Sequence, residues 1–282
     1  MVTRWLMMMI VVFMAGSLVS ATEPPPTPSP DDVAFTPVVQ NEEWTPIEQD
    51  FDGVTMVLVP VGCFIMGSDD ARARDNEQPL HEQCFDTPFW IDKYEVTQAQ
   101  YEAFGMELPL SDYGAIGDDF PVGLVTWFDA RDFCDMRGGR LPSEREWEYA
   151  ARGVSNWLYP WGNLFDGDKV AYEGNTRNSP VGSYPDGISW VGALDMSGNA
   201  QEWTNSLFRE YPYDADDGRE DDTDESLANF DDPLLERVWR GGSYHDLSAN
   251  LRSSARGGQS PDWEDTQIGF RCARDYSPDL SS

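Results

Sequence analysis

Residues Trp239–Cys272 read WRGGSYHDLSANLRSSARGGQSPDWEDTQIGFRC. Glycines at Gly241–Gly242, Gly257–Gly258 and Gly269 divide the stretch. Glycine permits positive φ and close backbone approach, so the segment can fold back tightly on itself. Between the glycines stand Arg240, Arg252, Arg256 and Arg271, in a chain with 19 basic and 51 acidic residues. Its last residue is one of only four cysteines. Such a segment is either a built site or a set of internal counter-ions holding a loop-rich fold together. Ion-pair networks also cluster charge, and composition favours the counter-ions.

Outward from this stretch, the chain divides by composition. Arg4 precedes an apolar run, Trp5 to Met14, and Val19 and Ala21 occupy the −3 and −1 positions of a cleavage site. Residues 1–21 therefore read as a secretory signal peptide, and an uncleaved membrane anchor is the alternative. A proline-rich linker is expected over 22–43, because proline at this density favours extended polyproline II. The folded domain is expected over 44–276, with a frayed tail at 277–282. Within it, residues 214–232 hold ten carboxylates and one arginine, the composition of a solvated acidic loop. The net charge of −32 repels phosphate backbones, so no nucleic acid is expected as a partner. Four cysteines in an exported chain suggest two disulfides, with three possible connectivities.

Gly53 to Met66 is valine-rich with a Pro60–Gly62 turn and predicts a hairpin; Phe85 to Tyr94 predicts another strand region. Three capping boxes mark helix starts: Thr97 with Gln100, Thr126 with Asp129, and Ser143 with Glu146. Gly105, Gly138–Gly139 and Gly153 end those helices. Beyond Gly153 turn chemistry dominates. The fold class is α+β with little regular structure.

The strings PVGCFIMGS, Asp92–Thr97 (DKYEVT), Arg140–Gly153 (RLPSEREWEYAARG), YPWGN, Asp195–Trp203 (DMSGNAQEW), RGGSY and GFRCA occur in one order. Together they resemble the formylglycine-generating enzyme (sulfatase-modifying factor) family from about residue 54 to 275. The resemblance implies a loop-rich variant of the C-type-lectin-like fold. It implies a Cys134–Cys272 disulfide, which leaves Cys63–Cys84 by remainder. In the oxidising members two cysteines after GGSY bind copper and convert a substrate cysteine to formylglycine. Their positions correspond here to Asp246 and Leu251, which cannot supply the soft ligands Cu(I) requires, so no copper is expected. A family tryptophan corresponds to Gln201, and the tyrosine before the second active cysteine to Asn250.

The resemblance also implies a structural calcium on Asp195, Gly198, Ala200 and Glu202, where hard oxygens meet a tight glycine-containing turn. The alternative is a metal-free turn in which Glu202 pairs an arginine. A second family calcium site, corresponding to Val170–Val181, is not carried over, since Tyr172 stands where an asparagine is expected. Ser243, His245, Asp246 and Asn250 are the candidate groove, with Trp239, Tyr244, Trp263 and Gln259 framing it; Trp147, Trp161 and Trp203 read as core. His81 and His245 are the only histidines, and a two-histidine iron site would need them close together. No G-x-S-x-G elbow, Walker loop or dinucleotide fingerprint occurs. The expected function is a secreted, calcium-stabilised binding or accessory module for a peptide, protein or carbohydrate, without formylglycine-generating activity. Membrane attachment would come only through an uncleaved N-terminal segment. The alternative is a family enzyme with altered chemistry around His245 and Asp246.

Overall fold

The computed structural model describes residues 33–109, 117–173, 177–222 and 235–278. The expected signal peptide, most of the linker, the acidic loop from residue 223 onward and the end of the tail lie outside them.

Each capping box forms as its sequence requires. Thr97, Thr126 and Ser143 accept a backbone N–H of the third helical residue, and Gln100, Asp129 and Glu146 reach back to the cap N–H. These caps open α1 (Gln98–Ala103), α2 (Trp127–Met136) and α3 (Glu144–Arg152). Gly153, at φ 66°, ends α3 in a conformation that side chains disfavour.

Strands β1 (Glu48–Phe51), β2 (Val54–Val59), β5 (Phe89–Asp92) and β10 (Ala273–Asp275) make an antiparallel sheet ordered β1-β2-β5-β10. β3 (Gly62–Met66) pairs instead with β4 (His81–Phe85). Both strands expected over Gly53–Met66 exist, but they do not form one hairpin. The Pro60–Gly62 turn sends β3 into a separate ribbon, because β2 already has β1 on one edge and β5 on the other.

The second large sheet is ordered β8-β7-β6-β9, from β6 (Gln201–Leu207), β7 (Arg237–Arg240), β8 (Arg256–Gln259) and β9 (Ile268–Phe270). β6 and β9 run parallel and the other neighbours antiparallel. The 239–272 stretch thus supplies the end of β7 and all of β8 and β9. Arg271 and Cys272 carry the chain from this sheet into β10 of the other.

The cores follow the sheets. Trp90, Trp147, Tyr149, Trp190 and the β2 valines fill one cluster; Trp127, Phe133, Trp203, Ile268 and Phe270 fill a second. Trp147 and Trp203 are fully buried as expected, whereas Trp161 is only partly buried, stacked 5.3 Å from Tyr159. Both disulfides of the expected pairing form: Cys63–Cys84 across the β3–β4 ribbon, and Cys134–Cys272 between α2 and the sheet crossover.

The end of the expected linker belongs to the fold. Ala34 is fully buried and its carbonyl accepts the Val61 N–H; buried Asn41 donates to the Arg152 carbonyl. The proline run stops at Pro30, and the apolar Val33–Val39 segment that follows has a surface to cover.

Candidate functional site

The four arginines of the 239–272 stretch are internal counter-ions. Arg240 donates to Glu144 (3.0 Å) and Glu148 (2.6 Å), both on α3. Arg256 grips Glu144 with two bonds of 2.6 and 2.8 Å. Arg252 holds Glu77 through two nitrogens at 2.6 and 2.7 Å, and Arg271 holds Glu202 likewise. All eight side chains are buried. Burial alone would raise Glu144, but Arg256 and Arg240 more than reverse it and hold the carboxyl below its ordinary range. Glu77 is lowered in the same way by Arg252.

These pairs fasten the loop that carries the candidate groove. Ser243 is buried; its hydroxyl lies 3.0 Å from Asp246 Oδ2 and 2.9 Å from Gln267 Oε1. Asp246 is the hub. Its Oδ2 accepts the Ser243 N–H (2.9 Å) and Gln201 Nε2 (3.3 Å), and its Oδ1 accepts Asn250 Nδ2 (2.8 Å). Arg74 donates to Asn250 Oδ1 at 2.7 Å. Segments around residues 74, 201, 243–250 and 267 therefore converge on one hydrogen-bonded cluster. Leu251 is fully buried beside Tyr159 and Val170.

His245 is exposed, with its ring 4.4 Å from that of Tyr244, and its N–H donates to Ser243 Oγ. His81 does not join it. His81 Nε2 accepts the Tyr213 N–H, so Nδ1 carries the proton and donates to the Pro79 carbonyl. Both ring nitrogens are committed on the β4 side of the molecule. Of the expected framing aromatics, Tyr244 is buried, while Trp239 and Trp263 are half-buried against the second core cluster. Trp263 meets Trp203 edge-on at 6.2 Å, and a Cβ at Gly257 would collide with the Trp239 ring. Gln259 sits in β8 opposite Arg237, partly buried.

The expected calcium ligands lie on one tight loop. Asp195, Gly198 and Asn199 all take positive φ, at 58°, 73° and 62°. Asp195 Oδ2 accepts the Gly182 N–H at 2.6 Å. Both oxygens of Glu202 take Arg271, and Oε2 also accepts Trp147 Nε1 at 2.7 Å. Glu95, which was not singled out from the sequence, staples the same loop by accepting the Ala200 N–H (2.8 Å) and Asn199 Nδ2 (2.6 Å). Burial pushes Glu95 well above the ordinary carboxylate range, with Asp195 and Glu202 adding to it. Burial likewise pushes Asp195 up to about 6. Three buried carboxylates therefore face a single guanidinium, Arg271. When all ionise, two negative charges remain uncompensated. The donors are all hard oxygens, the kind calcium takes, although both Glu202 oxygens already accept bonds from Arg271. Arg271 is also the arginine partner that a metal-free loop requires. Among the described residues, no three His, Cys, Asp or Glu side chains converge to hold a metal, so backbone carbonyls must complete any such site.

Comparison with known proteins agrees with this architecture. The sulfatase-modifying factor enzyme 1-like domain matches residues 41–276. The inactive C-alpha-formylglycine-generating enzyme 2 of Bos taurus is 31% identical over 290 residues, covering 78% of this chain and 88% of that protein. The formylglycine-generating enzyme of Bos taurus is 28% identical, covering 79% and 75%. Among solved structures, PvdO from Pseudomonas aeruginosa superposes with a TM-score of 0.67 at 27% identity, covering 82% of this chain and 98% of that one. The match over residues 41–276 places the chain in the sulfatase-modifying factor enzyme 1-like family, and its loop-rich α+β fold of two four-stranded sheets, one two-stranded ribbon and three short capped helices is C-type-lectin-like.

Proposed function

We propose that this protein is a secreted, calcium-stabilised binding or accessory module that has lost formylglycine-generating chemistry. One observation carries the proposal. All four cysteine sulfurs are tied up in disulfides, while the positions matched to the two copper-binding cysteines hold a hydrogen-bond hub, Asp246, and a core residue, Leu251. A thiolate pair for Cu(I) then has no source in the chain. The similarity to a relative named as inactive supports the same conclusion. Two disulfides suit an oxidising compartment, and no helix among the described residues is long and apolar enough to cross a membrane.

Calcium, in this proposal, takes carboxylate oxygens from Asp195 and Glu202 and the carbonyls of Gly198 and Ala200. Its stabilising role is to neutralise the excess negative charge around Glu95. A peptide, protein or carbohydrate ligand would meet the loop at Ser243, His245, Asp246 and Asn250. The competing proposal is a family enzyme with altered chemistry at His245 and Asp246; exposed His245 beside Asp246 is the feature that favours it. Metal analysis of the purified protein, with and without prior chelation, separates the two. We expect calcium alone, and a thermal midpoint that falls on chelation and recovers on readdition. At a free calcium concentration one hundred times Kd the stabilisation would be about 2.7 kcal/mol. Stoichiometric iron or copper would instead establish an enzyme.

A further inference from the structure

Most arginines in this acidic chain spend their charge on a carboxylate. Arg145, in the first turn of α3, does not. Among the described residues no carboxylate oxygen lies within ion-pair distance of it, and its guanidinium rests over the Phe85 ring at 4.8 Å and near the Tyr213 ring at 5.9 Å. It is partly buried in the wall of a cleft of about 310 Å³, together with Arg140, Ser143, Asn205, Tyr213 and Glu220. None of these residues belongs to the Ser243–Asn250 cluster or the calcium loop.

The acids around this cleft are already occupied, with one exception. Glu146 accepts two bonds from Arg140, plus the N–H and hydroxyl of Ser143. Glu220 accepts Tyr213 Oη at 2.5 Å, Asn205 Nδ2 at 3.3 Å and the Ser206 hydroxyl. Burial raises Glu220 toward its neutral form. Among the described residues Asp222 alone, at the rim, has no donor on its carboxylate; its backbone carbonyl accepts from Arg131. Among the described residues the cleft thus presents one guanidinium without an ion pair, placed over an aromatic ring, with a single free carboxylate at its edge.

We propose that this cleft binds a ligand through a single carboxylate group held by Arg145. Guanidinium offers two parallel N–H donors that match the two oxygens of a carboxylate, and the cation–π contact with Phe85 at 4.8 Å limits where the group can move. A phosphate dianion fits less well: it brings a second negative charge, Asp222 repels it, and Arg140, the only other cation among the described lining residues, is bound to Glu146 and Asp275. The chain's net charge of −32 disfavours polyanions for the same reason.

The test titrates the full folded chain with four probes and follows chemical shifts of the Arg145 side chain and the Tyr213 and Asn205 amides. The probes are N-acetyl-glutamyl-amide, its neutral counterpart N-acetyl-glutaminyl-amide, glutarate and inorganic phosphate. We expect saturable binding of the carboxylates, with the neutral amide weaker by about tenfold or more. R145Q should lose the same factor, and R145K should recover part of it, both with an unchanged thermal midpoint. Glutarate binding tighter than the blocked glutamate supports a free organic acid as ligand; the reverse supports an acidic side chain of a partner. Equal binding of the amide, tighter binding of phosphate, unaltered binding by R145Q, or no saturable binding of any probe would overturn the proposal.

Discussion

Asp246 collects hydrogen bonds from Ser243, Gln201 and Asn250, and so ties the 243–250 loop to the start of β6. Truncation leaves these donors without an acceptor in a partly buried cluster, and a buried unpaired donor costs about 1–3 kcal/mol. Asp246→Ala should therefore lower stability in urea by about that amount, with exchange protection lost at the Ser243 amide. No loss of stability would mean that the cluster is incidental. At this scale the sequence was partly legible. The family resemblance marked 246, 250, 251 and 201 as positions where expected residues were missing. It did not show that Asp246, Asn250 and Gln201 bind one another. The longest of these contacts joins Gln201 to Asp246, 45 apart in number, and no local pattern encodes it. Glu95 was missed for a related reason, since a carboxylate in DKYEVT reads as a surface group until its partners Asn199 and Ala200 are seen.

Helix α3 shows what is and is not readable in an element. Its start was fixed locally by Ser143 and Glu146 and its end by Gly153, and both lie where the capping pattern put them. Its function in the fold is nonlocal. Glu144 and Glu148, one turn apart, receive Arg240, Arg256 and Arg152 in the interior. Removing one charge of a buried pair leaves the other uncompensated, at a cost of about 3–5 kcal/mol. Glu144→Gln should destabilise by that much in chemical denaturation; a change within about 0.5 kcal/mol would show that the network contributes nothing net. The sign with pH follows. The folded carboxyls of Glu144 and Glu77 titrate below the ordinary 4.5, so the unfolded chain binds more protons in that range. Their contribution is complete above about 4.5 and is lost as pH falls through the folded values. Glu220 is shifted the other way, so its contribution increases as pH falls from neutral toward 4.5. The thermal midpoint should drop steeply on acidification only below about 4.5, and E144Q should blunt that drop. Strand β6 illustrates the opposite case. QEWTNSL lacks the apolar alternation that marks a strand, since it places Glu202, Thr204 and Ser206 on one face, yet all three are fully buried. Arg271, the Val238 carbonyl and Glu220 satisfy them from elsewhere in the chain.

For the whole molecule, Cys134–Cys272 ties α2 to the crossover between the two large sheets. It spans 138 residues, so its loss should cost about 4–5 kcal/mol by loop-closure entropy, against about 3 for Cys63–Cys84 with a separation of 21. Replacing each pair by alanine in turn and comparing denaturation midpoints checks the order. Fold class and both pairings followed from an ordered set of short motifs, because these mark turns and caps where few residue types fit. The two-sheet topology did not, since β3 leaves β2 for β4 and β9 pairs with β6 across 60 residues of chain. Buried ion pairs and two disulfides hold this scaffold, while its centre carries a carboxylate hub, Asp246, and a buried leucine, Leu251. The decisive measurement is mass spectrometry of a Cys-x-Pro-x-Arg peptide incubated with the purified chain, copper and oxygen. We expect the cysteine to remain unconverted. Catalytic turnover to formylglycine, above a no-enzyme control, would contradict the loss of oxidase chemistry.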